Sequence, residues 1–104
     1  MKFLITESKF DSIVFKYLDN QDFVVIKMKN RIYFVNSEGD EYAQIRYDED
    51  GWCGVNYDLV KEISTFFSLQ DSDSVQVIGR WVENTLQIKV THTQIGSAPH
   101  IAAG

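Results

Sequence analysis

The stretch Phe23–Asn36, FVVIKMKNRIYFVN, decides the fold class of this chain. β-Branched and aromatic residues, which favour strands, lie on both sides of Lys29 and Asn30. A two-residue turn at Lys29 and Asn30 predicts an antiparallel hairpin. Its register pairs Met28 with Arg31, Ile26 with Tyr33, and Val24 with Val35.

A third strand is predicted next, because EYAQIRY (Glu41–Tyr47) follows the turn residues Ser37–Asp40. The strands form an antiparallel meander, and side-chain alternation divides their residues between two faces. The predicted core face carries Phe23, Val25, Ile32, Phe34, Ala43, Ile45 and Tyr47, with Lys27 as its one charged residue. The second face carries Val24, Ile26, Met28, Tyr33, Val35 and Tyr42, with Arg31, Gln44 and Arg46 toward one end.

Helices are predicted on both sides of the meander in sequence. Thr6 can cap a first helix that ends near Asn20, with a stripe made of Phe10, Ile13, Val14, Tyr17 and Leu18. Asn56 or Asp58 can cap a second helix, whose stripe is Leu59, Val60, Ile63, Phe66 and Phe67. Asp71 and Asp73 favour the start of a third helix. Its wide stripe indicates burial on more than one side and consists of Val75, Val77, Ile78, Trp81, Val82 and Leu86.

The predicted fold class is α+β: an antiparallel meander of three to five strands packed with three amphipathic helices, in the order α-β-β-β-(β)-α-α-β. The bracketed strand is a short one near Trp52–Val55, and the last strand is Leu86–Ile95. One domain over residues 1–95 and a tail at 96–104 are expected. The pattern leaves open whether the helices cover both faces of the sheet or crowd onto one.

Composition excludes several classes of function. The 104 residues carry 10 basic and 15 acidic side chains, for a net charge of −5, so nucleic acid is not an expected partner. A single cysteine and the absence of a secretory signal in MKFLITESKF predict a cytoplasmic protein. Apolar runs are far shorter than the roughly 20 residues that span a bilayer, so no membrane partner is expected. No cofactor is predicted.

The stretch Tyr47–Asp58, YDEDGWCGVNYD, contains that cysteine, Cys53. The acids before it disfavour a thiolate, and the histidines are distant in sequence, so we expect Cys53 to be a buried hydrophobic residue and not a nucleophile. The alternative function is a small enzyme or ligand-binding domain. Its pocket near Cys53 would join Trp52, Tyr57 and His92 to the thiol.

The acidic residues around the third strand suggest a cation site only at first sight. They are Glu38, Asp40, Glu41, Asp48, Glu49 and Asp50. A strand of six residues at about 3.4 Å each separates the two triplets by roughly 20 Å, so they cannot share an ion. Asp48 and Asp50 before Gly51 also resemble half of a calcium loop, but Arg46 and Tyr57 occupy the positions of its first ligand and closing glutamate. No metal site is predicted.

The second and third helices, joined by FSLQDSDS, invite comparison with a helix-turn-helix. The third helix begins with acids, and its one basic residue is Arg80. Electrostatic attraction to DNA is therefore missing, and two core-packing helices are the better interpretation.

The second face of the meander is the main candidate site, because it is too apolar for ordinary exposure to solvent. The predicted interface consists of Val24, Ile26, Met28, Arg31, Tyr33, Val35, Tyr42 and Arg46. A protein partner or a symmetric homodimer would cover these residues, with no catalytic role for any of them.

Two segments, MKFLITESKF (residues 1–10) and IGRWVENTLQIKV (residues 78–90), resemble short uncharacterised reading frames of large tailed bacteriophages of marine bacteria. The resemblance implies a protein present in the host cytoplasm during infection. It also implies one of two roles, an accessory protein that binds a protein partner or a minor structural component of the virion. It assigns no site residue.

Overall fold

The computed structural model describes residues 7–36 and 43–96. Its elements are α1 (Glu7–Asp19), β1 (Val24–Lys27), β2 (Arg31–Val35), β3 (Ile45–Asp48), β4 (Trp52–Asn56), α2 (Tyr57–Phe67), α3 (Asp71–Leu86) and β5 (His92–Gly96). This arrangement confirms the α+β class and the predicted order, including the short fourth strand. The predicted cap Thr6 and tail residues 97–104 lie outside the described residues.

The strands form one sheet in the order β1-β2-β3-β4-β5. The first four strands make an antiparallel meander, and Val24 pairs with Val35 and Ile26 with Tyr33, as predicted. The Met28 N–H donates to the Arg31 carbonyl at 2.7 Å, which confirms the two-residue turn. β5 returns after α2 and α3 and pairs in parallel with β4. A parallel neighbour requires such a long crossover connection.

All three helices share one core with one face of the sheet. Buried residues of this core come from α1 (Val14, Leu18), α2 (Leu59, Val60, Ile63), α3 (Val75, Val77, Ile78, Trp81, Val82) and the strands (Phe34, Ile45, Tyr47, Cys53, Val55). The helices therefore crowd onto one side of the sheet instead of dividing between the two. The burial of both Val77 and Trp81 confirms the wide apolar stripe of α3. Ile13 belongs to the predicted stripe of α1 but is 51% exposed, so this part of the prediction is wrong.

Polar contacts attach α1 to α3. Arg80 donates from Nε and Nη2 to the two carboxylate oxygens of Asp11, at 2.6 and 2.9 Å. Two turns further along α1, Asp19 accepts a 2.9 Å hydrogen bond from the indole Nε1 of Trp81. The Trp81 ring itself packs against Phe34, with ring centroids 5.1 Å apart. Trp81 therefore connects α1, α3 and the sheet.

Local signals set the limits of α2 and α3. The Asn56 side chain accepts a hydrogen bond from the Asp58 N–H, so Asn56, one of the two predicted residues, is the cap of α2. Ser68 and Gln87 end α2 and α3 with left-handed backbone conformations. Because α3 continues to Leu86, the predicted last strand from Leu86 is wrong at its start, and β5 begins only at His92.

Two residues of the predicted core face are not buried in the core beneath the helices. The Gln44 N–H donates to the carbonyl of Phe34, a residue that also pairs with Ile45, so two residues oppose one as in a β-bulge. The extra residue reverses the face on which each side chain before Gln44 lies. Ala43 therefore packs with residues of the second face. Val25 belongs to the predicted face, but its position in a strand at the edge of the sheet leaves it 40% exposed.

Candidate functional site

Most of the described apolar residues of the second face are already packed within the chain, and Val24 is the exception. Tyr33, Val35 and Ala43 form a separate buried cluster, with Ile26 and Met28 half-buried against it. Tyr33 is only 1% exposed, so it could not contact a partner without a rearrangement of this cluster. The surface that remains for an interaction on this side of the hairpin is therefore smaller than the sequence pattern indicates.

The other part of the second face is a polar network on β3, β4 and β5. Arg46 donates from Nε and Nη2 to the two oxygens of Asp48, both at 2.9 Å, and this hydrogen bonding is the main reason that the pKa of Arg46 is raised. The guanidinium also lies 5.2 Å from the centre of the Trp52 ring. The Trp52 indole Nε1 donates to Gln94 Oε1 at 3.2 Å.

This network borders a depression of about 230 Å³ lined by Arg46, Trp52, Gly54, Val55, Gln94, Ile95 and Gly96. The Trp52 ring lies across Gly54, so close to it that a Cβ added at Gly54 would be 2.4 Å from a carbon of the indole. The charge of Arg46 is balanced by Asp48, and the indole N–H is bonded to Gln94. These groups therefore bind one another, which favours a structural role for the network.

The edge of the sheet at β1 is the most exposed apolar feature of the hairpin. Val24 is 45% exposed and Val25 is 40% exposed, although their side chains project from opposite faces. Within the described residues, β1 is a terminal strand of the sheet and has β2 as its one partner. A protein surface rarely leaves such a strand bare, because it is a template for further pairing.

The backbone of this edge is oriented for pairing. The bond between the Met28 N–H and the Arg31 carbonyl identifies Met28 as a hydrogen-bonded residue of the β1–β2 ladder. In an antiparallel ladder every second residue of a strand is hydrogen-bonded to the neighbouring strand. Ile26 and Val24 therefore also direct their N–H and C=O groups toward β2. Val25 and Lys27 consequently direct theirs away from the sheet.

The structure divides the predicted interface residues that it describes into three groups. Val24, Ile26, Met28 and Arg31 lie on the β1–β2 hairpin, where the Arg31 Nε is 3.8 Å from an oxygen of Asp48. Tyr33 and Val35 are buried, and Arg46 belongs to the polar network. Tyr42 lies outside the described residues. Sequence reasoning did not identify Val25 as an exposed residue, although its place in the first strand of a meander was an available signal.

Aromatic side chains that are exposed or half-buried form a second surface between α1 and α2. Phe66 is 64% exposed, and its ring stacks on Tyr17 with centroids 4.7 Å apart. The Tyr17 hydroxyl donates to Glu62, which is the main reason that the pKa of Tyr17 is raised to about 12. These contacts hold α1 against α2, so the role of these residues in packing the two helices already explains them.

Cys53 does not belong to a pocket with the other residues of the alternative enzyme site. Its side chain lies in the core on the helical side of the sheet, and burial raises the pKa of the thiol to about 12. Trp52 precedes it in β4 and projects to the opposite face, and His92 is the partner of Trp52 in β5. Tyr57 is an exposed residue at the start of α2.

We predict that Cys53 reacts with thiol reagents only when the protein unfolds, because a thiolate is the reactive species and burial disfavours it. Labelling by a chromogenic disulfide at neutral pH should be slow in buffer and rapid and stoichiometric in urea. Since Cys53 is the one cysteine of the chain, the signal has a single source. Complete labelling within the mixing time in buffer would contradict the prediction.

The acidic stretch after β3 forms a tight turn. The Gly51 N–H donates to the Asp48 carbonyl at 2.9 Å, and Gly51 has a φ of 98°, which glycine tolerates best. Asp48 binds Arg46, and Asp50 accepts a hydrogen bond from the Trp52 N–H. No group of three or more His, Cys, Asp or Glu side chains in the described ranges could hold a metal ion. Glu38, Asp40 and Glu41 lie outside these ranges.

Comparisons with known proteins assign no family or function to the chain. No protein-family model, no curated protein and no solved structure matches it. Within residues 7–36 and 43–96, none of the helices is long and apolar enough to cross a membrane.

Proposed function

We propose that the protein is a small interaction domain that acts by binding protein through the β1 edge, without catalysis. The observation that carries the proposal is the joint exposure of Val24 and Val25 on a terminal strand whose outer backbone groups point away from the sheet. Such a strand can accept another strand through backbone hydrogen bonds, while side chains on both faces provide apolar contact.

Electrostatics favours protein over nucleic acid as the partner. The chain has a net charge of −5, and Arg80, the one basic residue of α3, binds Asp11. Arg46 is likewise matched by Asp48. These pairs leave little positive charge on α3 and β3 for phosphate groups, whereas strand pairing needs none.

The biological setting that we propose is an infected bacterial cell. The resemblance of residues 1–10 and 78–90 to reading frames of tailed bacteriophages supports an accessory protein that binds its partner in the host cytoplasm. A minor virion component would use the same surface, because assembly of a particle also proceeds by protein binding.

A photo-crosslinking amino acid in place of Val24 tests the proposed surface in the cells that produce the protein. Its side chain is exposed beside the β1 edge, so we expect a covalent adduct with whichever protein occupies the edge. Adduct masses, read by mass spectrometry, distinguish a second copy from a different protein. The same amino acid at Thr65, an exposed position of α2, is the positional control.

Substitutions at Val25 make this experiment specific for strand pairing. Val25→Pro removes a backbone N–H that points away from β2, so the ladder within the chain stays complete. We expect it to abolish the adduct, whereas Val25→Thr, which keeps the N–H and the β-branched shape, should preserve it. An adduct that survives Val25→Pro, or no adduct at all, would overturn the proposed function.

A further inference from the structure

We infer that the protein which pairs with the β1 edge is a second copy of the same chain, joined to the first by an antiparallel β1–β1 contact across a two-fold axis. The inference rests on the proposed function, because it names the occupant of the same edge. It differs from the predicted homodimer, whose interface was the second face of the sheet. Here the two five-stranded sheets are joined side by side.

The charges along the edge favour this occupant. Asp22 lies just before β1, while Lys27 and Lys29 lie at its other end, and all three side chains are exposed. Two copies in antiparallel orientation place the acidic end of each strand beside the basic end of the other. A parallel arrangement would instead place like charges together. The edge is therefore complementary to itself in the orientation that a two-fold axis produces.

The backbone pattern selects a register for the contact. A two-fold axis perpendicular to the sheet pairs residues that project from the same face, so Val25 can lie opposite the partner's Val25. Val25 and Lys27 direct their backbone N–H and C=O groups outward. In a register centred on Val25, the groups of both residues can bond to the partner strand. On the second face, Val24 then packs against the partner's Ile26. Both exposed valines are covered in this arrangement.

The contact should be weak. β1 has four residues, so the strands bury far less area than the roughly 1,600 Å² of a standard interface. We therefore expect a monomer–dimer equilibrium that depends on concentration, with no permanent dimer. Strand pairs of this kind also leave the cores of both copies unchanged, so dimerisation should not alter the circular dichroism spectrum in the far ultraviolet.

Sedimentation velocity over a wide range of protein concentration tests the inference. The wild type and Val25→Thr should both dimerise as concentration rises. Val25→Pro should weaken association by at least about tenfold, because the pairs centred on residue 25 lose their hydrogen bonds. Circular dichroism and thermal melting of each variant show whether its fold is intact. A dimer that Val25→Pro leaves unchanged would overturn the β1 contact.

Charge variants identify the occupant as a second copy. Asp22→Lys alone makes both ends of the edge basic, and Lys27→Glu with Lys29→Glu makes both ends acidic, so each variant should remain monomeric. A mixture of the two variants should form a heterodimer, because every acidic end again meets a basic end. Failure of the mixture to associate, in variants that melt like the wild type, would contradict the antiparallel pairing.

The two proposals fail in different ways. If the purified wild type stays monomeric at all concentrations, while the crosslinker at position 24 captures a different protein in a Val25→Pro-sensitive manner, the second-copy inference is wrong and the proposed function stands. If the crosslinker captures nothing and the protein is monomeric, both are wrong.

Discussion

Replacing Trp81 by alanine should lower the free energy of unfolding by about 3–5 kcal/mol, the largest loss we expect from one substitution in this chain. Trp81 is 3% exposed and contacts the rings of Phe23 and Phe34. Its removal would leave a cavity between α3 and the sheet, and α1 would lose its bond from the indole to Asp19. Urea denaturation followed by far-ultraviolet circular dichroism measures the change.

The substitution Trp81→Phe separates packing from hydrogen bonding. A phenyl ring keeps much of the contact with Phe34 but cannot donate to Asp19, so a smaller loss of about 1–3 kcal/mol is expected. Equal losses for the two variants would mean that the bond to Asp19, and not the burial of the ring, accounts for the effect of Trp81.

Gly79→Ala should destabilise the protein by about 1–3 kcal/mol, although alanine is the better helix former. A Cβ at Gly79 would lie 2.3 Å from Cγ2 of Thr93, so α3 would have to move away from β5. Thr93 is β-branched and resists rotation about χ1, so its methyl group cannot easily turn away from the new Cβ. Chemical denaturation of the variant measures the loss.

The sign of this effect should reverse when Thr93 is replaced by alanine. Without Cγ2, the nearest atom to the new Cβ is the Cβ of residue 93 at 3.6 Å, an ordinary contact. Thr93→Ala should itself cost little, because the buried Thr93 Oγ1 has no hydrogen-bond partner. In the Thr93→Ala background, Gly79→Ala should therefore be neutral or stabilising by up to about 1 kcal/mol. Continued destabilisation there would exclude the close approach as its cause.

The hairpin could be predicted in detail because its signals are local. The turn at Lys29 and Asn30 sets the register, and the same turn places Val24 opposite Val35 in the structure. The start of α2 can be predicted equally well from the sequence, because Asn56 caps the helix through its own side chain. Local chemistry of this kind does not depend on distant parts of the chain.

Features that depend on tertiary contacts could not be predicted. The bulge at Gln44 adds one residue to a strand without any distinctive sequence, so Ala43 was placed on the wrong face. The crowding of three helices onto one face follows from how they pack together, as in the bond between Trp81 and Asp19. The candidate site was affected most, because neither the burial of Tyr33 nor the exposure of Val25 follows from alternation alone.

The parallel strand β5 also has a consequence for the order of folding. Trp52 and His92 are neighbours in the sheet but are 40 positions apart in sequence (92 − 52), whereas antiparallel partners within β1–β4 are at most 17 positions apart (48 − 31). The entropy cost of closing a long loop slows the formation of such contacts. The meander can therefore form before β5 has paired with β4. During that interval β4 is a second bare edge, and the chain is then most susceptible to pairing with the wrong strand.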